Sequence, residues 1–342
     1  MRKTLLKALP MLFVGLLFAL QSVNAQTYFV DVAAGNDANN GLSQANAFKT
    51  IQAAINTAAG TNITINIAAG TYPENVTINR SGITLMGAGS GTNGNAAPLT
   101  PNSTVHTIIT GGSDPSGTGV ALSGVQTNVT VRDLIISGYS NNGFFAPANS
   151  NNLSLINLQI NANCTVDGRG GVFVSGGINN VTIQGCAVQN NGPGAVARGI
   201  AIWNNLKSNV SITNNYVVFT SCCGIDLNDG TASGVNISNN TLIAGSASSD
   251  SAIGVLGMTA GSGANIIASN NITVAKRYGI EIKNPAGSGV DDELADGAII
   301  VKNNTITRTD AGAAVIGAEG KDIAGIAVFR RSFELNNPSG YI

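Results

Sequence analysis

From residue 128 onward, the apolar and polar positions of this chain fall into one phrase repeated with variations. It reads NVTVRDLII, NLSLINLQI, NVTIQGCAV, NVSITNNYV, GVNISNNTL, NIIASNNIT and AIIVKNNTI. The copies start at Asn128, Asn152, Asn180, Asn209, Gly234, Asn265 and Ala298, so they recur every 24 to 33 residues. In each, apolar residues stand two apart, as Val210 and Ile212 or Val235 and Ile237, and a polar pair follows. An alternation of two is the period of a strand with one buried face. A second phrase is interleaved at similar spacing: Gly171-Val-Phe-Val, Gly199-Ile-Ala-Ile, Gly224-Ile-Asp-Leu, Ala252-Ile-Gly-Val, Gly279-Ile-Glu-Ile and Gly325-Ile-Ala-Val. Recurrence of one strand-and-turn unit predicts a solenoid. Two or more short strands per turn, stacked in register, predict an all-β parallel β-helix of about ten or more coils.

Aligned over the seven copies, the second residue of the polar pair is Leu134, Leu158, Cys186, Asn215, Asn240, Asn271 and Asn304. A position that exchanges Leu and Cys with Asn faces the interior. Four successive Asn amides there would stack as a ladder, each bonding the next coil and nearby turn backbone. The alternative is surface turn asparagine, since Asn tolerates the left-handed conformation of a sharp corner.

Composition narrows the picture further. Residues 1–25 read as a secretory signal: Arg2, Lys3 and Lys7 are charged, Met11 to Leu20 is apolar, and Val23-Asn-Ala25 precedes Gln26. The apolar run is too short to span a bilayer as a helix, and no later segment is long enough. Export to the periplasm, the cell surface or the medium is expected. Without the signal, 14 basic residues face 18 acidic ones, a net charge near −4. That balance offers no basic field for nucleic acid. Charged residues make up 10% of the chain and glycines number 43, which suits a strand-rich solenoid rather than a disordered chain. One elongated domain over residues 26–342 is expected, because a solenoid escapes the size limit on a single globular core. Cys164 with Cys186 is the more plausible disulfide by sequence distance, whereas adjacent Cys222 and Cys223 would need a strained vicinal bond and are more commonly two buried thiols. With one histidine, His106, and no C-x-x-C spacing, a zinc site or a His-based triad has nothing to build on.

Before the strand array, Phe48, Ile51, Ile55 and Ala58 fall on one helical face, predicting a helix over 48–59 with Asn46 as N-cap and Gly60 as stop. Its expected task is to cover the open end of the first coil. The segment around it carries a resemblance. Gly35-Asn-Asp, Phe48-Lys-Thr-Ile-Gln-Ala-Ala, Ala69-Gly-Thr-Tyr72, Glu74-Asn-Val and Ile83-Thr-Leu with Gly87 look like the opening of right-handed parallel β-helix proteins of the pectate-lyase-like superfamily. The repeats from Asn128 onward are similar to that superfamily's coils. The resemblance implies a right-handed β-helix and a polysaccharide partner. The superfamily spans lyases, hydrolases, esterases, epimerases and non-catalytic adhesins, so activity stays open.

Aligned outward residues of stacked coils stand about 4.8 Å apart. One outward column of the second phrase is Ala201, Asp226, Gly254, Glu281 and Ala327; the next is Trp203, Asn228, Leu256, Lys283 and Phe329; a third is Asn204, Asp229, Gly257, Asn284 and Arg330. Gly254 and Gly257 open a dip, and the stretch 284–297 adds Asp291, Asp292, Glu293 and Asp296. Read as a polysaccharide groove, this face has Trp203 to stack on a sugar, with Asn228 and Asn284 beside it. Asp226, Asp229, Glu281, Asp291 and Asp292 would hold Ca²⁺ through oxygen ligands. Lyases of this fold often combine Ca²⁺ with a Lys or Arg. The resemblance therefore implies Lys283 as the base for the proton alpha to a uronate carboxylate and Arg330 as the cation for the developing charge. Two other readings stand beside it: charges that only keep a solenoid soluble, and a surface adhesin or glycan-binding solenoid. The polygalacturonase pattern is incomplete. Its paired Asp-Asp and Gly-His-Gly are absent, Glu281-Ile-Lys283 stands where that family has Arg-Ile-Lys, and Asp226 and Glu281 are two coils, roughly 9–10 Å, apart. Beyond Phe333 no amphipathic cap is recognisable; because an open final coil would invite association, either a later segment missing from this sequence or another partner is expected to cover that end.

Overall fold

The protein is described by a computed structural model over residues 25–89, 92, 98–111, 117–164, 170–192, 198–220, 222–245, 251–258, 264–275, 277–283, 299–309 and 324–329. It is a right-handed parallel β-helix built from three sheets of ten, nine and nine strands, every pairing parallel. Each turn visits the sheets in the same order. In one turn Lys207–Thr213 lies in the first sheet, Tyr216–Phe219 in the second and Cys223–Asn228 in the third. The first repeated phrase thus supplies two sheets and the Gly-Ile phrase the third.

The alternation buries what the sequence marks as apolar. Val129, Leu153, Val181, Val210 and Val235 stack as one interior column of the first sheet, and Ile200, Ile225, Ile253 and Ile280 as one of the third. Parallel strands cannot be joined by tight hairpins, so the chain turns at corners. The first residue of the polar pair takes that corner. Asp133, Asn157, Asn214, Asn239, Ser269 and Asn303 all have φ between 52° and 57°. Short polar side chains tolerate this left-handed geometry better than apolar ones.

The next residue then points inward, and the asparagine ladder forms with one correction. Asn215 Nδ2 donates to Asn240 Oδ1, Asn240 to Asn270 and Asn270 to Asn304, each at 2.9 Å. Asn270 holds the rung expected of Asn271, which is exposed and pairs with Thr241. The phrase alignment slips by one residue because Ile266, not Ile267, pairs with Asn236 across the sheet. Cys186, one coil earlier, is a buried thiol rather than half of a disulfide, and its backbone N–H donates to Asn215 Oδ1 at 2.9 Å. Burial pushes that thiol up to about 12. A second ladder, Asn163 to Asn191, bonds at 3.1 Å at another corner.

The helix is shorter than expected, Ile51–Thr57, with Thr50 as N-cap. Phe48 cannot be helical because its N–H donates to Phe29 O and its carbonyl accepts from Asp31 N, extending the first strand's edge. Asn46 instead closes a short 3-10 turn, Gln44–Asn46. Two carboxylates hold the helix start. Asp37 accepts from Lys49 and Thr50 N–H, and Glu74 from Ile51 and Gln52 N–H, at 2.8–3.0 Å. Ile51, Ala54 and Ile55 close the core at this end. At the other end Ile326 and Val328 continue the interior columns of Ile280 and Ile282, yet they are half exposed.

Candidate functional site

The third sheet carries the expected columns in the expected register. Ala201 pairs with Asp226, Asp226 with Gly254 and Gly254 with Glu281; Trp203 pairs with Asn228 and Leu256 with Lys283. Because the apolar residues of these strands fill the interior, the alternate side chains point away from it. They are nonetheless sheltered: Asp226 is 1% exposed, and Glu281 and Lys283 are each 6% exposed.

Gly254 is the centre of the arrangement. A Cβ placed on it would lie 3.3 Å from Asp226 Oδ1, 3.6 Å from Glu281 Oε2 and 3.9 Å from Lys283 Nζ. Two carboxylates and an ammonium thus converge on the space that the missing side chain leaves. The two carboxylate oxygens lie within about 7 Å of each other, closer than strand spacing alone suggests, because both side chains lean into the gap.

Each acid has its own set of partners. Asp226 Oδ2 accepts from Arg198 Nε and from Trp203 Nε1, both at 3.0 Å. Its Oδ1 is buried and has no hydrogen-bond partner. Glu281 Oε2 accepts from Ser251 Oγ at 3.0 Å and lies 3.7 Å from Lys283 Nζ. Asn228 Oδ1 is likewise buried without a partner. The Arg198 guanidinium stacks over the Trp203 ring, 4.2 Å from its centroid, and Phe173 meets the ring edge-on at 6.0 Å. One ring face is therefore occupied by Arg198, and the indole N–H orients an acid. Asp229 is not brought into this cluster. It sits exposed in the following corner with φ 53°. Arg330, Asn284, Asp291 and Asp292 lie outside the described residues.

Arg198, Ser251 and Lys207 escaped the reading of the sequence. Arg198 and Ser251 each stand one position before a Gly-Ile or Ala-Ile phrase, in a further column that also holds Cys223 and Tyr278. Extending the alignment by one or two residues toward the N-terminus would have shown it. Lys207 occupies a first-sheet position that is Ile178 in the preceding coil and Ala232 in the next, and it is fully buried. A column that exchanges Ile and Ala with Lys marks an inward lysine.

The donor set can be tested against Ca²⁺, which takes six to eight oxygen ligands. Around Gly254, Asp226 Oδ1 is the one carboxylate oxygen shown buried without a partner. Its neighbours are already engaged by Arg198, Trp203, Ser251 and Lys283, and two of these are cations. Among the described residues the set does not fit a calcium ion.

No protein-family model and no curated protein matches the chain. Solved structures do. The chain is similar to a GH136 lacto-N-biosidase from Eubacterium ramulus, at a TM-score of 0.45 and 12% identity over 83% of this chain and 68% of that one. It is similar to the pectate lyase Pel9A, at a TM-score of 0.41 and 14% identity over 84% and 78% of the two chains. It is also similar to PfbA, a surface adhesin of Streptococcus pneumoniae, at a TM-score of 0.34 and 14% identity over 82% and 89%. These are likenesses of fold.

Proposed function

We propose that the protein is exported through residues 1–25 and cleaves a uronate-containing polysaccharide at the Gly254 gap. One observation carries this reading. A carboxylate oxygen, Asp226 Oδ1, is buried without a partner and faces the same small space as the Lys283 ammonium. An unpaired buried acceptor is costly to keep, so its presence beside a cation points to a ligand that supplies what is missing.

Asp226 is the proton acceptor in this scheme, held in orientation by Arg198 and the indole N–H of Trp203. Lys283 takes the uronate carboxylate rather than the proton, because it already lies in an ion pair with Glu281. The proton alpha to the carboxylate passes to Asp226 Oδ1. The electron pair left behind forms the C=C bond as the glycosidic C–O bond breaks, and the departing oxygen takes a proton from water. Lys283 stabilises the charge that develops on the carboxylate during this step.

The test is a panel of pectate, alginate and glycosaminoglycan polymers, followed by the absorbance of unsaturated products, with calcium and with a chelator. Cleavage of at least one polymer is expected, undiminished by the chelator, and about 100-fold or more slower in Asp226→Asn. Lys283→Ala should both raise KM and lower kcat, because the ammonium holds the carboxylate and stabilises the charge that develops on it. Binding without product from every polymer would instead favour an adhesin.

A further inference from the structure

Lys207 is a lysine with no solvent exposure, in a corner of the solenoid where its counterparts are Ile178 and Ala232. Its Nζ donates to Asn205 O at 2.9 Å, Asn228 O at 3.0 Å and Asp229 O at 2.6 Å, with Asn204 O at 3.4 Å. These four carbonyls belong to two stacked corners. One follows Trp203 and the other follows the strand that carries Asp226 and Asn228.

The backbone of those corners explains why a cation is there. Asn204 and Asn205 have φ of 68° and 51°, and Asp229 and Gly230 have φ of 53° and 90°, so each corner has two consecutive left-handed residues. The carbonyls so turned converge on Lys207; Asn228 O also accepts from Asn204 N–H at 3.0 Å, and the ammonium supplies the donor for the others. Three ammonium protons shared among them tie the two corners together. The corners are the C-terminal anchors of the strands from which Trp203 Nε1 and Asp226 Oδ2 meet at 3.0 Å.

We infer that Lys207 is a positioning residue for the Gly254 site, fixing through these corner carbonyls where Trp203 and Asp226 meet. The inference rests on this face being the site, but its geometry does not depend on which glycan is cleaved. Asp229 and Asp226 are the charged groups whose fields reach Lys207. The register neighbours packed above and below it, Ile178 and Ala232, carry no charge. Burial pulls the ammonium down to about 8, against the opposing pull of Asp229 and Asp226. Near neutral pH the clamp is charged, and above pH 8 it weakens.

Trp203 is the one tryptophan in the sequence, so its fluorescence reports on this corner alone. In Lys207→Met, Trp203 emission should move to longer wavelength and acrylamide quenching should rise about twofold, with far-UV circular dichroism unchanged. A variant weakened at a different corner, Asn163→Ala, should leave both readings at wild-type values, which separates positioning from general loss of stability. In the wild type the emission should shift reversibly with a midpoint near pH 8. That shift should be absent from Lys207→Arg, whose guanidinium stays charged. Should Lys207→Met not fold, the wild-type and Lys207→Arg titrations decide the matter. Unchanged emission and quenching in a folded Lys207→Met would overturn the inference, as would a flat wild-type signal from pH 7 to 9.5. A positive result beside an inactive, glycan-blind protein would leave Lys207's role intact and reject the polysaccharide reading instead.

Discussion

At the scale of single residues, the protein places charge where a solenoid has no structural need of it. Asp226 is held by Arg198 and by the indole of Trp203, and the ion pair is nearly dry, with side-chain exposures of 11% for Arg198 and 2% for Asp226. Removing one member of such a pair leaves the other charge buried and uncompensated, which is worse than removing both. Asp226→Asn should therefore lower stability by about 3 kcal/mol in urea unfolding, and adding Arg198→Met should recover most of it. A loss near zero in Asp226→Asn would mean that water, not Arg198, balances the carboxylate. The alignment of the Gly-Ile phrases made the outward position of Asp226 and Glu281 legible. Their partners were not, because Arg198 and Ser251 lie outside the phrase that was aligned.

At the scale of elements, the corners do as much as the strands. A left-handed residue turns the chain, and the next side chain falls into the interior, where only an amide can serve both the turn backbone and the coil beyond. Asn240 shows the economy of this arrangement. Its Nδ2 donates to Ile212 O and Asn270 Oδ1, while its Oδ1 accepts from the backbone and side chain of Asn215. Leucine fills the same position at Leu134 and Leu158, so volume alone is no obstacle. Asn240→Leu should nonetheless cost about 3 kcal/mol, since it strands acceptors and donors on both sides, whereas Asn304→Leu at the half-buried end of the ladder should cost about 1 kcal/mol. Equal losses at the two positions, measured by chemical denaturation, would show that the ladder does not act as a connected unit. The cap helix follows the same logic of satisfied backbone. Its first turn begins where Asp37 and Glu74 offer carboxylate oxygens, not where the apolar periodicity begins.

For the whole molecule, the three sheets form a rod with a helix over one end and the charged face along its side. The first strand starts at Gln26, which pairs with Ile63, so the residue expected to follow signal cleavage is already part of the fold. N-terminal sequencing of protein recovered from outside the cytoplasm should begin at or near Gln26. Recovery of a chain that still starts at Met1 would reject export by this signal.

Strand periodicity, left-handed corners and an inward column that exchanges Leu, Cys and Asn are local properties, so the sequence by itself determined the parallel β-helix and the direction in which Asp226, Glu281 and Lys283 point. The details that decide chemistry were not local. Turns of unequal length separate the coils, and a slip of one residue moves a side chain from one face to the other; this is why the third rung of the ladder is Asn270 and not Asn271. Likewise, no pattern within one coil tells that Asp226 Oδ2 meets Arg198 and Trp203 from the preceding coil while Oδ1 meets nothing. Nor does it tell that a lysine in an apolar column finds its partners in the carbonyls of two adjacent corners. Those pairings depend on register between coils, and register is fixed only when every turn has closed and all the stacked strands have bonded to their neighbours.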